Sequence, residues 1–247
     1  MSTAIPTANT TVQLVVFDMA GTTVKDENEV EQCFFAAADA TGLRADRDRI
    51  ISMMGWSKKR VFQTLWQEQL GDAGDIAPQV EASYRKFKEV LEHHYLTQPV
   101  QPTEGCLELF EWLKSQGIQI ALNTGFYREV TNIILDRLHW NHGLDQDFIG
   151  SKDRVIQASV TPSEIYQQQG RPAPYMIQKA MYQLGVKDPQ AVVVVGDTPS
   201  DLQAGINAHC RMSLGVTCGT HTTEQLAVYP NHGLLSSLRD LKAIIAP

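Results

Sequence analysis

Two short acidic motifs in this chain have the residue types needed for phosphoryl-transfer chemistry. In VQLVVFDMAGTTV, Asp18 follows the apolar run Leu14 to Phe17 and precedes Gly21, Thr22 and Thr23. The crevice at the carboxyl ends of the strands is where open α/β sheets bind ligands, and a carboxylate there can attack phosphorus or hold a divalent cation. AVVVVGDTPSD repeats the arrangement, with Ala191 to Val195 as a buried strand and Asp197 and Asp201 beyond it. Two such strands, each ending in Asp within a Gly/Thr-rich turn, predict one composite Mg²⁺ site in the core of a single domain. Position 20, two residues after the first Asp, is Ala20.

Other residues could complete a phosphoryl site. Thr124 and Gly125 follow IQIALN, where a hydroxyl and the N–H groups of a helix start can hold phosphoryl oxygens. Arg171, between Gly170 and Pro172, could present a fork of donors to a phosphate or phosphonate dianion. Taken alone, the first is an ordinary turn and the second a surface arginine.

Positioning these residues requires βα units. Beyond the first strand the pattern turns helical, with Val30, Phe34, Ala37 and Ala38 at three- and four-residue steps and Gly42 closing the segment. Helices are predicted over about 56–70 and 78–96, the latter with a stripe of Val80, Tyr84, Phe87, Val90 and Leu91, before QPVQP marks a hinge. From Glu104 strands at 118–123, 191–195 and 212–216 alternate with helices at 107–115, 128–138, 174–184 and 200–208. That alternation predicts an α/β fold with a doubly wound parallel sheet. Residues 12–27 and 99–247 are assigned to this Rossmann-like core, 28–98 to an inserted α-helical cap, and 1–11 to a disordered lead-in. Gln167 to Gln169 reads as a solvated loop.

The 247 residues carry 21 basic and 28 acidic side chains, a formal charge of −7. No run of Lys or Arg offers a footprint for nucleic acid or a membrane surface, so a small anionic substrate needs local positive charge. Cys33, Cys106, Cys210 and Cys218 lie far apart in sequence, which predicts buried, reduced thiols. With no apolar leader and no membrane-length apolar stretch, this favours a cytoplasmic location. A homodimer is compatible with the sequence, which does not specify the oligomeric state. The adjacent His93 and His94 point about 100° apart on a helix and cannot both face one ion.

The order DMAGTT, NTG (123–125), GRP (170–172) and GDTPSD (196–201) resembles the haloacid dehalogenase superfamily of hydrolases. The resemblance implies that Asp18 is the nucleophile. It also implies that Asp18, the Ala20 carbonyl and Asp197 ligate Mg²⁺, with Asp201 supporting the metal loop. Thr22, Thr124, Gly125 and Arg171 would then bind the phosphoryl group.

Within that superfamily the chain is most similar to the phosphonatase-like branch. DMAGTTV, Met54-Gly55-Trp56-Ser57-Lys58, Thr124-Gly125 with Arg128-Glu129, and the run Gly170 to Met176 carry the likeness. Phosphonatases use the lysine at the place of Lys58 to form a Schiff base with an aldehyde. Ala20 suits that chemistry: ester hydrolysis expels an alkoxide that benefits from an acid, whereas C–P cleavage of an iminium expels a neutral enamine. The chain departs from the phosphonatase pattern at Val61 (His there), Phe126 (Tyr) and Asn28 (Cys). Lys58 therefore reads as a covalent catalyst, a substrate-binding cation or a solvated helix start, and Trp56 beside it as a pocket wall or cap core. Three functions follow: C–P cleavage of phosphonoacetaldehyde or a related phosphonate, hydrolysis of a small phosphate monoester, or ligand binding without catalysis.

Overall fold

The computed structural model describes residues 11–71 and 74–246, so the expected disorder of 1–11 lies, but for Thr11, outside the described residues. Its centre is β1 (Leu14–Phe17), fully buried, as expected for an apolar run flanked on both faces. The four helices of the insert follow: α1 (Glu29–Thr41), α2 (Arg47–Ser52), α3 (Lys58–Leu70) and α4 (Ala77–Thr97). The chain then runs through α5 (Cys106–Ser115), β2 (Gln119–Asn123), α6 (Arg128–Arg137), β3 (Ala158–Val160), α7 (Tyr175–Gln183), β4 (Val192–Gly196), α8 (Pro199–Asn207), β5 (Met212–Val216), α9 (Thr223–Ala227), β6 (Leu234–Leu235) and α10 (Leu241–Ile245).

The sheet is parallel, in the order β3-β2-β1-β4-β5-β6. Alternation along β1 splits the core between its faces. Val15 and Phe17 face the layer containing Leu109, Phe110 and Val130, while Leu14 and Val16 face Met176, Ile177 and Ala204. Phe17 pairs with Leu122 of β2 and Val195 of β4, so Asp18, Thr124 and Asp197 all emerge just past the carboxyl ends of three adjacent strands. The chain winds outward in both directions from β1, and the switch point lies between β1 and β4.

The helical insert has its own aromatic centre. Phe34 of α1 stacks on Phe62 of α3 at 4.2 Å, and Phe87 of α4 meets them at 5.6 and 5.8 Å. Beside this cluster the Trp66 indole donates to Ser83 Oγ at 2.9 Å, and that hydroxyl also meets Thr41 Oγ1 at 2.7 Å. Of the cysteines, Cys33, Cys106 and Cys210 are buried and free as expected, but Cys218 is exposed; it follows β5 at the ligand-binding edge rather than in the core. Phe62 has no exposed surface, and truncation leaves a cavity that α1 and α4 cannot close. Phe62→Ala should therefore cost about 3–5 kcal/mol of stability and Phe62→Leu clearly less, as measured by denaturant unfolding.

Candidate active site

The strand ends gather three buried carboxylates. One oxygen each of Asp18, Asp197 and Asp201 lies within 4.8 Å of the others. Asp197 is fixed by the Thr22 hydroxyl on Oδ1 (3.1 Å) and the Thr220 N–H on Oδ2 (2.7 Å). Gly21 and Gly219 make room for it, since a Cβ at either position would collide with its carboxylate. Asp201 Oδ2 accepts the Thr198 N–H (3.0 Å) and hydroxyl (2.6 Å), closing the capping box of α8.

Asp18 differs from its neighbours. Arg171 Nη1 stands 2.7 Å from Asp18 Oδ1, yet the approach is not that of a hydrogen bond, so Oδ1 is buried without a donor. No donor among the described residues reaches the Ala20 carbonyl either. Burial pushes the Asp18 carboxyl up to about 6; Arg171 opposes this and the nearby Asp197 adds to it. Three acidic groups share this space with the cations Arg171 and Lys58. An unsatisfied carboxylate oxygen, a free carbonyl and surplus negative charge together fit a hard divalent cation.

Arg171 joins the parts of the site. It is 2 % exposed, and its guanidinium contacts both Asp18 and Asp201 while Nε donates to the Gly55 carbonyl of the helical insert at 3.2 Å. Its loop is held in turn by Arg128, which donates through Nε and Nη2 to Glu164 at 2.9 and 2.8 Å, donates through Nη1 to Ser159 Oγ at 3.1 Å and stacks on Phe148. Arg128, one of the residues carrying the sequence resemblance, thus fixes a loop and lies outside the cavity.

The insert sits directly on this cluster. A Cβ on Gly125 would lie 2.6 Å from the Trp56 carbonyl oxygen and 2.7 Å from that of Gly55, and one on Gly55 would strike the Thr198 hydroxyl. Asp18, Ala20, Thr124, Gly125, Arg171 and Lys58 surround a cavity of about 30 Å³. A buried water needs roughly 10–15 Å³ of such space, so the cavity has room for about two waters. Thr124 Oγ1 accepts the Phe126 N–H at 3.2 Å, which leaves its own hydroxyl proton free to donate. Thr22 lies fully buried behind Asp197, and Trp56 packs under Arg60, 4.8 Å from the ring centroid; neither lines the cavity.

Lys58 is 6 % exposed at the start of α3, with Nζ near Met54 Sδ (3.9 Å) and 5.7 Å from the centre of the Phe126 ring. It forms no ion pair with a carboxylate among the described residues. Burial, with Arg171 second, pushes its amine down to about 8. Thr220 and Asp26 line the cavity but escaped the sequence reading; Asp26 stands in the polar run KDENE, which resembles an ordinary solvated linker. Its place directly after the β1 turn, where the chain crosses into the helices, was the available signal.

The haloacid dehalogenase-like hydrolase family matches residues 12–209. The chain belongs to this family and is a hydrolase with a buried aspartate cluster able to hold a metal. It is 27% identical to a phosphonoacetaldehyde hydrolase of Bacteroides fragilis over 94% of this chain and 87% of the relative. It is 30% identical to that of Latilactobacillus sakei over 81% and 73%, respectively. The crystal structure of a phosphonoacetaldehyde hydrolase-like protein from Oleispira antarctica shares the fold, with a TM-score of 0.79 at 19% identity over 99% of this chain and 95% of that one. These likenesses make the chain a phosphonatase-like member of the family. Gly125→Ala should lower turnover at least tenfold, because both clashing atoms belong to backbone that must lift away. Steady-state kinetics, with circular dichroism confirming the fold, would check this.

Proposed function

We propose that this hydrolase is Mg²⁺-dependent and cleaves the C–P bond of phosphonoacetaldehyde or a related small aldehyde phosphonate. The observation that carries this reading is the Lys58 amine, buried in the cavity that holds Asp18 and lowered to about 8 from an ordinary 10.5. An amine in that range is a competent nucleophile near neutral pH, which a surface lysine is not.

In this mechanism the amine condenses with the substrate aldehyde to form an iminium. The Asp18 carboxylate attacks phosphorus, and the C–P bonding electrons move through the new C=C bond onto nitrogen. An enamine and an aspartyl-phosphate result, and water then hydrolyses the acyl-phosphate to phosphate. Because the enamine leaves neutral, no acid is required at Ala20. Arg171, Thr124 and Gly125 hold the phosphoryl oxygens, Thr22 orients Asp197, and Asp201 ties down the metal loop. When bound by Asp18, Asp197 and the Ala20 carbonyl, Mg²⁺ supplies Lewis-acid neutralisation of the phosphoryl charge. Segment 28–98 acts as a cap that lifts to admit substrate and closes to exclude water. The free thiols and acidic surface support a cytoplasmic setting.

Borohydride added with phosphonoacetaldehyde at pH 8 should leave a permanent adduct on Lys58, detectable by mass spectrometry of the peptide. Lys58→Arg should give neither adduct nor phosphate, since a guanidinium keeps its charge and cannot form the imine. Preferential release of phosphate from esters, with no adduct, would instead identify a phosphomonoesterase. Asp18→Asn should abolish phosphate release, and Asp197→Asn should shift the Mg²⁺ titration to higher concentration because an amide is the poorer ligand.

A further inference from the structure

Asp26 lines the cavity together with Asp18, Lys58 and Arg171, at the point where the chain leaves the core for α1. Its Oδ1 accepts the Glu29 N–H at 2.8 Å and, more weakly, the Val30 N–H at 3.4 Å, both in the first turn of α1. The Glu29 carboxyl lies beside it, and the two groups compete for one proton. Asp26 is the partner that keeps it: burial and Glu29 push its carboxyl up to about 7, while Glu29, despite its own desolvation, is held below its ordinary value by hydrogen bonds from Asp26 and the backbone.

The charged and titratable groups around Asp26 come from several elements. Glu29 and Cys33 lie on α1, Lys58 on α3 and Tyr95 on α4, with His94 acting on Glu29 from α4. The Lys58 amine feels the charge of Asp26 without closing an ion pair with it. Besides Asp18, the cavity therefore presents one amine and one further carboxyl group that holds its proton more tightly than usual. Phe126, which also lines the cavity, offers no proton.

We propose that Asp26 is the proton-transfer residue for imine chemistry at Lys58, a role that rests on the C–P cleavage reading above. The Lys58 amine and the aldehyde first give a carbinolamine. Asp26 transfers its O–H proton to the carbinolamine hydroxyl as the C–O bond breaks. Water leaves, the nitrogen lone pair forms the C=N bond, and the products are an iminium and an Asp26 carboxylate. After C–P cleavage the enamine carbon takes a proton from solvent water, and the release step runs in reverse. Water adds to the product iminium, the carboxylate takes a proton from that water, and the acid is restored as the carbinolamine collapses to aldehyde and amine.

A purely structural role, capping α1, is separable because asparagine caps as well as aspartate. The test is the rate of borohydride trapping at Lys58 with phosphonoacetaldehyde, measured across pH for the wild type, Asp26→Asn and Asp26→Glu. An acid near 7 and an amine near 8 give wild-type trapping that peaks between those values and then falls. Asp26→Asn should trap about 10²-fold more slowly, on the scale of a lost general acid, and should show only the rising limb of the amine. Asp26→Glu should restore part of the rate and the falling limb. Wild-type trapping that persists within twofold in Asp26→Asn, with an unchanged pH profile, would overturn the role of Asp26 alone. Equal loss of trapping and of p-nitrophenyl phosphate hydrolysis in Asp26→Asn, with lowered thermal stability, would return Asp26 to helix capping. Absence of trapping in the wild type would overturn the imine reading together with it.

Discussion

Three carboxylates held within 4.8 Å of one another beneath a protein surface repel one another and forfeit their hydration. The effective cost of burying even one ion is several kcal/mol. The architecture around the strand ends answers this constraint. Backbone N–H groups and hydroxyls of Thr22, Thr198 and Thr220 face Asp197 and Asp201, and glycines stand where side chains would crowd the carboxylates. Arg171 brings one guanidinium against both Asp18 and Asp201. Asp18 Oδ1 faces that cation without accepting a hydrogen bond from it.

The same guanidinium couples the two layers of the site. Through Gly55 it holds the insert against the core, and this contact seats Lys58 at the first position of α3. The positive end of a helix dipole disfavours an ammonium there, in the same direction as burial and Arg171. A lysine with ordinary helix-forming chemistry is thereby made into a weak base. Its weak basicity comes from the packing of the insert on the core, which keeps water from the amine. A cavity of about 30 Å³ has room for about two waters and is smaller than a molecule of the size of phosphonoacetaldehyde.

The acidic half of the site could be read in the sequence because strand, turn and acid are contiguous there. VVFD and VVVVGD each state a buried strand and the group at its end, and the parallel pairing of β1 with β4 does the rest. The short β3 and β6 carry too few residues to set a period, and the two-turn α2 is too brief for an apolar stripe. The half facing the organic end of a substrate was harder to see. Lys58 stands in a Lys-Lys-Arg run that looks solvated, and only tertiary packing separates the buried Lys58 from the half-exposed Lys59, which pairs with Glu81. Asp26 was hidden for the same reason, since one of several acids in a polar linker acquires its environment only when α1, α3 and α4 close around it.

The pairing of β1 with β4 also sets a timetable. Asp18 is synthesised early, but its companions Asp197 and Asp201 lie on the far side of the insert and the first βα units, in the segment that completes the centre of the sheet. A nascent chain on the ribosome therefore carries Asp18 without its two companions for most of translation. The insert, with its own aromatic centre, has emerged before the other two carboxylates arrive. The cluster is complete only once β4 pairs with β1, so a chain that stops short of β4 lacks two of its three carboxylates.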